Sequence, residues 1–109
     1  MATPNLNDLV HQTEDQIQTV TETKFVDVNT IVTILVFQGL KMLLPEIKEW
    51  VKLGFSKIVL KRLEIEKRLN DYALEKELDF KRAQEASEII AQNINEDNIK
   101  QIVAELEIS

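Results

Sequence analysis

The amino-acid sequence predicts an all-α protein, and three observations lead to that prediction. The chain has only 2 glycines and 2 prolines in 109 residues, so few positions favour turns or interrupt helices. Apolar residues recur at helical spacing through most of the chain after Pro45. The densest apolar run, 28–44, has no partner segment of comparable strand character, so a helix is the way for it to satisfy its backbone hydrogen bonds. We expect an apolar N-proximal helix that leads through a kink at Pro45 into a long charged amphipathic helix, followed by a short C-terminal helix.

The composition limits the classes of function. The chain carries 13 Lys and Arg against 19 Asp and Glu, for a net charge of -6, and an acidic surface repels phosphate backbones. We therefore expect no nucleic-acid partner. There is no cysteine, His11 is the only histidine, and the two glycines, Gly39 and Gly54, stand alone. A thiolate or histidine site and a glycine-rich phosphate loop are thus not indicated, and we expect a protein that is not an enzyme and holds no cofactor or metal.

Residues 1–27 form an acidic polar segment with a weak helical pattern. Thr3 suits the N-cap position and Pro4 the first helical position, so the pattern predicts a helix over 4–20. The apolar positions are sparse, and an unstructured acidic tail is the alternative interpretation.

The run 28–44 is the candidate membrane anchor. Its 17 residues would rise about 25 Å as a helix, somewhat less than the ~30 Å hydrocarbon core of a bilayer. Acidic residues precede it and Lys48, Lys52 and Lys57 follow it, so the positive-inside rule predicts a single-pass protein whose later helices lie on the cytoplasmic or interior side. The predicted anchor side chains are Ile31, Ile34, Leu35, Val36, Phe37, Leu40, Leu43, Leu44 and Trp50.

Other interpretations of this run stay open. It can be buried at a subunit interface of an oligomer, or the stretch 40–55 can lie flat in the headgroup layer of a membrane. The density of Val, Ile and Thr over 25–37 is also compatible with a strand in water.

The stretch 46–93 is predicted to be one long helix with an apolar stripe for association. The stripe consists of Ile47, Val51, Ile58, Ile65, Leu69, Tyr72, Phe80 and Ile90. Lys61 and Arg68 fall on seam positions of a strict heptad, so a coiled coil and a helix packed in a hairpin or bundle are both compatible with the pattern. The basic residues of this stretch can meet lipid phosphates or pair with nearby glutamates; they are Lys57, Lys61, Arg62, Lys67 and Arg68.

A break follows at 93–98, where Asn95 suits the cap of a new helix. Ile99, Ile102, Val103 and Leu106 then predict a short amphipathic helix over 96–108.

These features indicate a structural or scaffolding protein held in a membrane by one apolar helix, as a component of a virus, phage or bacterial assembly. Its expected partners are the lipid bilayer and either further copies of itself or another helical protein. A pore-forming variant would use Asn29, Thr33 and Gln38 as oligomeric contacts. The alternative is a soluble helical assembly subunit that buries 28–44 between subunits.

Overall fold

The computed structural model describes residues 5–17 and 28–108, and within them it contains helices and no strand. The predicted all-α class is therefore confirmed. The helices are α1 (Leu6–Gln16), α2 (Val28–Met42), α3 (Leu44–Leu53), α4 (Phe55–Leu60), α5 (Arg62–Glu75), α6 (Phe80–Asn93) and α7 (Ile99–Ile108).

Helix α1 begins with a reciprocal cap. The Asn5 side chain accepts a hydrogen bond from the Asp8 backbone N–H, and the Asp8 carboxylate accepts one from the Asn5 N–H. Leu6, Leu9 and Val10 are buried where α1 contacts α2 and α6. The acidic segment thus contributes one face to the core. Part of the predicted helix 4–20, including its expected cap at Thr3 and Pro4, lies outside the described residues.

Helix α2 carries the apolar run and approaches α5 closely. A β-carbon placed on Gly39 would lie 2.7 Å from Cδ2 of Leu69, so only glycine allows this separation of the two helices without a shift of Leu69. Residues Leu35–Gly39 form one π-helical turn, in which the Leu40 N–H donates to the Leu35 carbonyl. Gln38, in the same turn, accepts a hydrogen bond of 2.7 Å from the Tyr72 hydroxyl of α5.

Pro45 lies at the beginning of α3, where its missing N–H costs no intrahelical hydrogen bond. Helices α2 and α3 meet at an angle of 69°. The proline therefore starts a second helix at a sharp bend.

The single helix predicted over 46–93 is divided in the structure into α3, α4, α5 and α6. The breaks fall at Gly54, whose φ is 111°, at Lys61, and at 76–79, where Glu77 has a φ of 57°. A continuous helix of this length would extend about 70 Å and could not bury its own stripe. Because the chain turns back at 76–79, α5 and α6 pack against each other as a hairpin.

Helix α7 packs against α3. Asn95 and Asn98 form a second reciprocal cap, since the side-chain oxygen of each accepts from the backbone N–H of the other at 3.0 and 2.9 Å. Ile102 and Leu106 are buried in the core, and Lys48 of α3 pairs with Glu107 at 2.8 Å.

Candidate association surface

The predicted anchor side chains lie in the interior of the folded chain. Six of them are buried, with Val36, Leu35 and Leu40 among those fully excluded from solvent, and the other three are half-buried against the same core. The buried six are Ile31, Leu35, Val36, Leu40, Leu43 and Trp50, and the half-buried three are Ile34, Phe37 and Leu44. In this fold α2 fills a core made by α1, α5 and α6.

Among the described residues, no individual helix has both the length and the hydropathy of a membrane span. The pair formed by α2 and α3 reaches the required values only when taken together, across its 69° bend.

The predicted association stripe also turns inward. Ile47, Ile58, Ile65, Leu69, Tyr72 and Ile90 are buried within the same chain, and Val51 is half-buried. Phe80, with 55% of its surface exposed, is the exception. The helical spacing identified a buried face, but that face is covered by other helices of the same chain.

Apolar side chains that are exposed concentrate where α4 meets α5. Val59, Leu60 and Leu63 lie within five consecutive residues and have exposed fractions of 43%, 77% and 79%. Single exposed apolar residues are ordinary on protein surfaces, whereas a contiguous group marks a contact site. We name Val59, Leu60 and Leu63 the junction surface.

The junction surface lies in the most basic part of the chain. Residues 41–68 hold 8 of the 13 Lys and Arg residues but 4 of the 19 acidic residues, so they carry a net charge of +4 in a chain of net charge -6. Lys57 and Lys67, one turn from Leu60 and Leu63, make no ion pair with any part of the chain that the structure describes.

The other cations of this region are engaged within the fold. Lys61 pairs with Glu64 at 3.5 Å and lies 5.7 Å from the centre of the Trp50 ring. Arg68 pairs with Glu46 at 3.6 Å. The predicted pairing with a neighbouring glutamate is therefore seen for Lys61, whereas Arg68 pairs with a glutamate of α3. Lys57 and Lys67 remain as positive charges beside the junction surface.

An open groove of about 370 Å³ adjoins this surface, between α4 and the start of α7. Phe55, Ile58 and Ile99 give it apolar walls, and Glu96 and Lys100 lie at its polar side. Phe55 and Val59 are one turn apart on α4, so the groove and the junction surface are continuous.

No group of three or more His, Asp or Glu residues is arranged to hold a metal ion within 5–17 and 28–108. His11 is exposed on α1, with Nδ1 3.7 Å from the Glu14 carboxylate. Partial burial, together with the neighbouring Glu88 carboxylate, raises the pKa of Glu66.

Two of the three polar residues assigned to a pore-forming variant have partners within the fold. Asn29 donates to the Glu14 carboxylate at 3.1 Å, and Gln38 accepts from Tyr72. These two hydrogen bonds connect α2 with α1 and α5.

No protein-family model, curated protein sequence or solved structure matches this chain.

Sequence reasoning missed the junction surface. Val59, Leu60 and Leu63 lie between the stripe residues Ile58 and Ile65, and the regular spacing of the stripe is the stronger pattern in this stretch. The available signal was three apolar residues off the stripe within the five residues 59–63, next to a charged stretch.

Proposed function

We propose that this protein is a non-enzymatic helical assembly subunit, a component of a bacterial or viral assembly, whose copies associate through the junction surface. The observation that carries the proposal is the exposure of Val59, Leu60 and Leu63 together. Each of these side chains gains free energy when another surface removes it from water, by about 25 cal/mol for each Å² of apolar area buried.

A second copy of the chain is the partner that the charge distribution favours. The junction surface is locally basic, whereas the rest of the chain has 5 Lys and Arg residues against 15 Asp and Glu. Each copy therefore offers the negative surface that another copy's junction attracts.

The proposal is tested by the mass of the protein in solution. Wild-type protein and a Leu60→Glu/Leu63→Glu variant are compared by light scattering or sedimentation velocity over a range of concentrations. We expect the wild-type mass to rise with concentration and the variant to remain at 12.6 kDa, the mass of one chain. Because Leu60 and Leu63 are already exposed, the variant should retain the wild-type circular dichroism spectrum and melting temperature.

Ile108→Glu is the matched control, since Ile108 is an exposed apolar residue near the end of α7 and outside the junction surface. It should associate as the wild type does. A wild-type protein that stays at the mass of one chain at every concentration would refute the proposal, as would normal association of the Leu60→Glu/Leu63→Glu variant.

A membrane-anchored scaffold is the second candidate function. The apolar character of α2 and α3 taken as a pair, with Lys48, Lys52 and Lys57 after the run, favours it. Anchoring would require Leu35, Leu40 and their neighbours to leave the core, and would place the later helices on the cytoplasmic side of a cell membrane or the interior side of a virion membrane.

Membrane fractionation separates the two candidates. If the full-length chain pellets with membranes and resists an alkaline carbonate wash, the anchored form is correct. Lys48→Glu/Lys52→Glu/Lys57→Glu should then alter its orientation. If the wash releases the chain, the anchor is rejected.

A further inference from the structure

The tip of the α5–α6 hairpin is a second exposed apolar surface. Leu74 and Phe80 flank the four-residue connection between the helices and have exposed fractions of 56% and 55%. Glu75, Glu77 and Asp79 are exposed around them. We name 74–80 the hairpin tip.

The charge of the hairpin tip is opposite to that of the junction surface. Residues 71–88 hold 6 acidic and 3 basic residues, a net charge of -3, against +4 for 41–68. One of the three cations, Lys76, is drawn towards the Tyr72 ring, 5.5 Å from its centre. The junction surface and the hairpin tip therefore carry complementary charges.

The two surfaces lie at opposite ends of the same hairpin. Arg62, at the start of α5, donates a 2.8 Å hydrogen bond to the carbonyl of Ile94, just after α6 ends, so the helices run antiparallel. Helix α5 has 14 residues and spans about 20 Å. Leu63 lies in its first turn and Leu74 in its last. The junction surface and the hairpin tip are therefore too far apart for one small contact to cover both.

From this placement we propose that the hairpin tip of one copy docks on the junction surface of the next, so that copies associate head to tail. The inference rests on the proposed self-association and names the surface that the junction recognises. Leu74 and Phe80 would cover Val59, Leu60 and Leu63, while Glu75 and Glu77 approach Lys57 and Lys67. Phe80 is the aromatic anchor for the groove beside Phe55, because buried aromatic side chains in pockets dominate such contacts.

A symmetric contact between two junction surfaces is electrostatically worse. A two-fold axis would set Lys57 and Lys67 of one copy against the same lysines of its partner, and like charges across an interface oppose association. An open head-to-tail assembly has one free tip at one end and one free junction surface at the other, so further copies can always be added. The mass should therefore grow with concentration beyond that of a dimer, unless the chain of contacts closes into a ring.

The test uses two variants that each lack one surface. Leu60→Glu/Leu63→Glu removes the junction surface, and Leu74→Lys/Phe80→Lys removes the hairpin tip. Alone, each variant should have the mass of one chain, 12.6 kDa. Mixed in equal amounts they should form a species of two chains and nothing larger, because one intact tip meets one intact junction and both remaining surfaces are blocked.

The other outcomes separate this inference from the proposed function. If wild-type protein does not associate, both fail. If Leu74→Lys/Phe80→Lys alone associates as the wild type does, the junction surface pairs with something other than the tip, so the inference fails while self-association stands. If both variants are single chains and their mixture also remains at the mass of one chain, tip and junction do not contact each other and the inference is overturned.

A charge exchange provides a second test that leaves the apolar residues in place. Lys57→Glu/Lys67→Glu and Glu75→Lys/Glu77→Lys should each weaken association at least tenfold, and all four changes combined in one chain should restore it. Failure of the combined variant to recover would show that these charges do not face one another. Because the chain has no cysteine, a further check is direct. A Leu63→Cys chain should form a disulfide with a Leu74→Cys chain more readily than with another copy of itself.

Discussion

The apolar run of α2 and the junction surface between α4 and α5 contain the same residue types and have opposite environments. Leu35 and Leu40 of α2 are fully buried, whereas Leu60 and Leu63 have more than three quarters of their surface exposed. The run has the higher local hydropathy, and it was the feature from which a membrane anchor was predicted. In this fold the side chains of the run are buried in the chain's own core, whereas those of the junction surface remain available for contact with other molecules.

Truncating one leucine in each region should give the largest difference in stability between them. Leu40→Ala should lower the free energy of unfolding by about 2–5 kcal/mol, because it removes buried apolar contacts and leaves a cavity. Leu60→Ala should change it by less than about 0.5 kcal/mol, since the side chain is already in water. Urea denaturation followed by circular dichroism measures both. Equal effects on stability would show that the two regions do not differ in burial.

The two glycines are required for different reasons, Gly39 by the close approach of Leu69 and Gly54 by its backbone conformation. Gly39→Leu should destabilise the fold by about 1–3 kcal/mol, because a side chain there collides with Leu69 and forces α2 away from α5. At Gly54 nothing lies within 4 Å of an added β-carbon, and the cost of Gly54→Ala should come from the backbone, whose φ of 111° is unfavourable for residues with a side chain.

Adding Leu69→Ala distinguishes these two causes. Leu69→Ala makes room beside residue 39. It should therefore lower the free energy of unfolding much less in the Gly39→Leu background than in the wild type. In the Gly54→Ala background, the loss of stability from Leu69→Ala should add to the loss from Gly54→Ala. Additive behaviour in both pairs would contradict the close approach of α2 and α5 at Gly39.

The smallest expected effect concerns Glu66, a carboxylate that lies between the two extremes of burial. Its pKa is raised by partial burial and by the nearby Glu88, so its charged form is less favourable in the folded than in the unfolded chain. A raised pKa means that stability is lost as the pH rises through that value. Glu66→Gln should therefore melt at a higher temperature than wild type at pH 7, and the difference should disappear as the pH falls below the usual carboxylate range.

Glu88→Gln provides the control for this pH effect. It removes the neighbouring charge, so Glu66→Gln should give a smaller gain at pH 7 in that background. A gain of the same size with and without Glu88 would assign the whole effect to burial.

Several local features could be predicted because nearby residues determine them. The scarcity of glycine and proline and the repeated apolar spacing predicted helices, and the described residues are helical. Asn95 was predicted to cap the last helix, and its side chain does accept hydrogen bonds from the Asp97 and Asn98 backbone N–H groups. Helix caps and periodic apolar faces depend on interactions across three or four residues, so they can be predicted from the sequence.

What covers an apolar face depends on contacts between residues that are far apart in the sequence. The cover of each face therefore follows only from the tertiary structure. The stripe from Ile47 to Ile90 has the same spacing whether it meets another chain or folds back on itself. The turn at 76–79 folds the chain back on itself, although Glu77, which has a positive φ there, is not a residue type that signals a turn. Likewise the hydropathy of α2 does not specify lipid or protein as its surroundings. Local sequence patterns specify the helices and the faces that must avoid water. The folded chain decided which of those faces it covers, and so left Leu60, Leu63, Leu74 and Phe80 exposed.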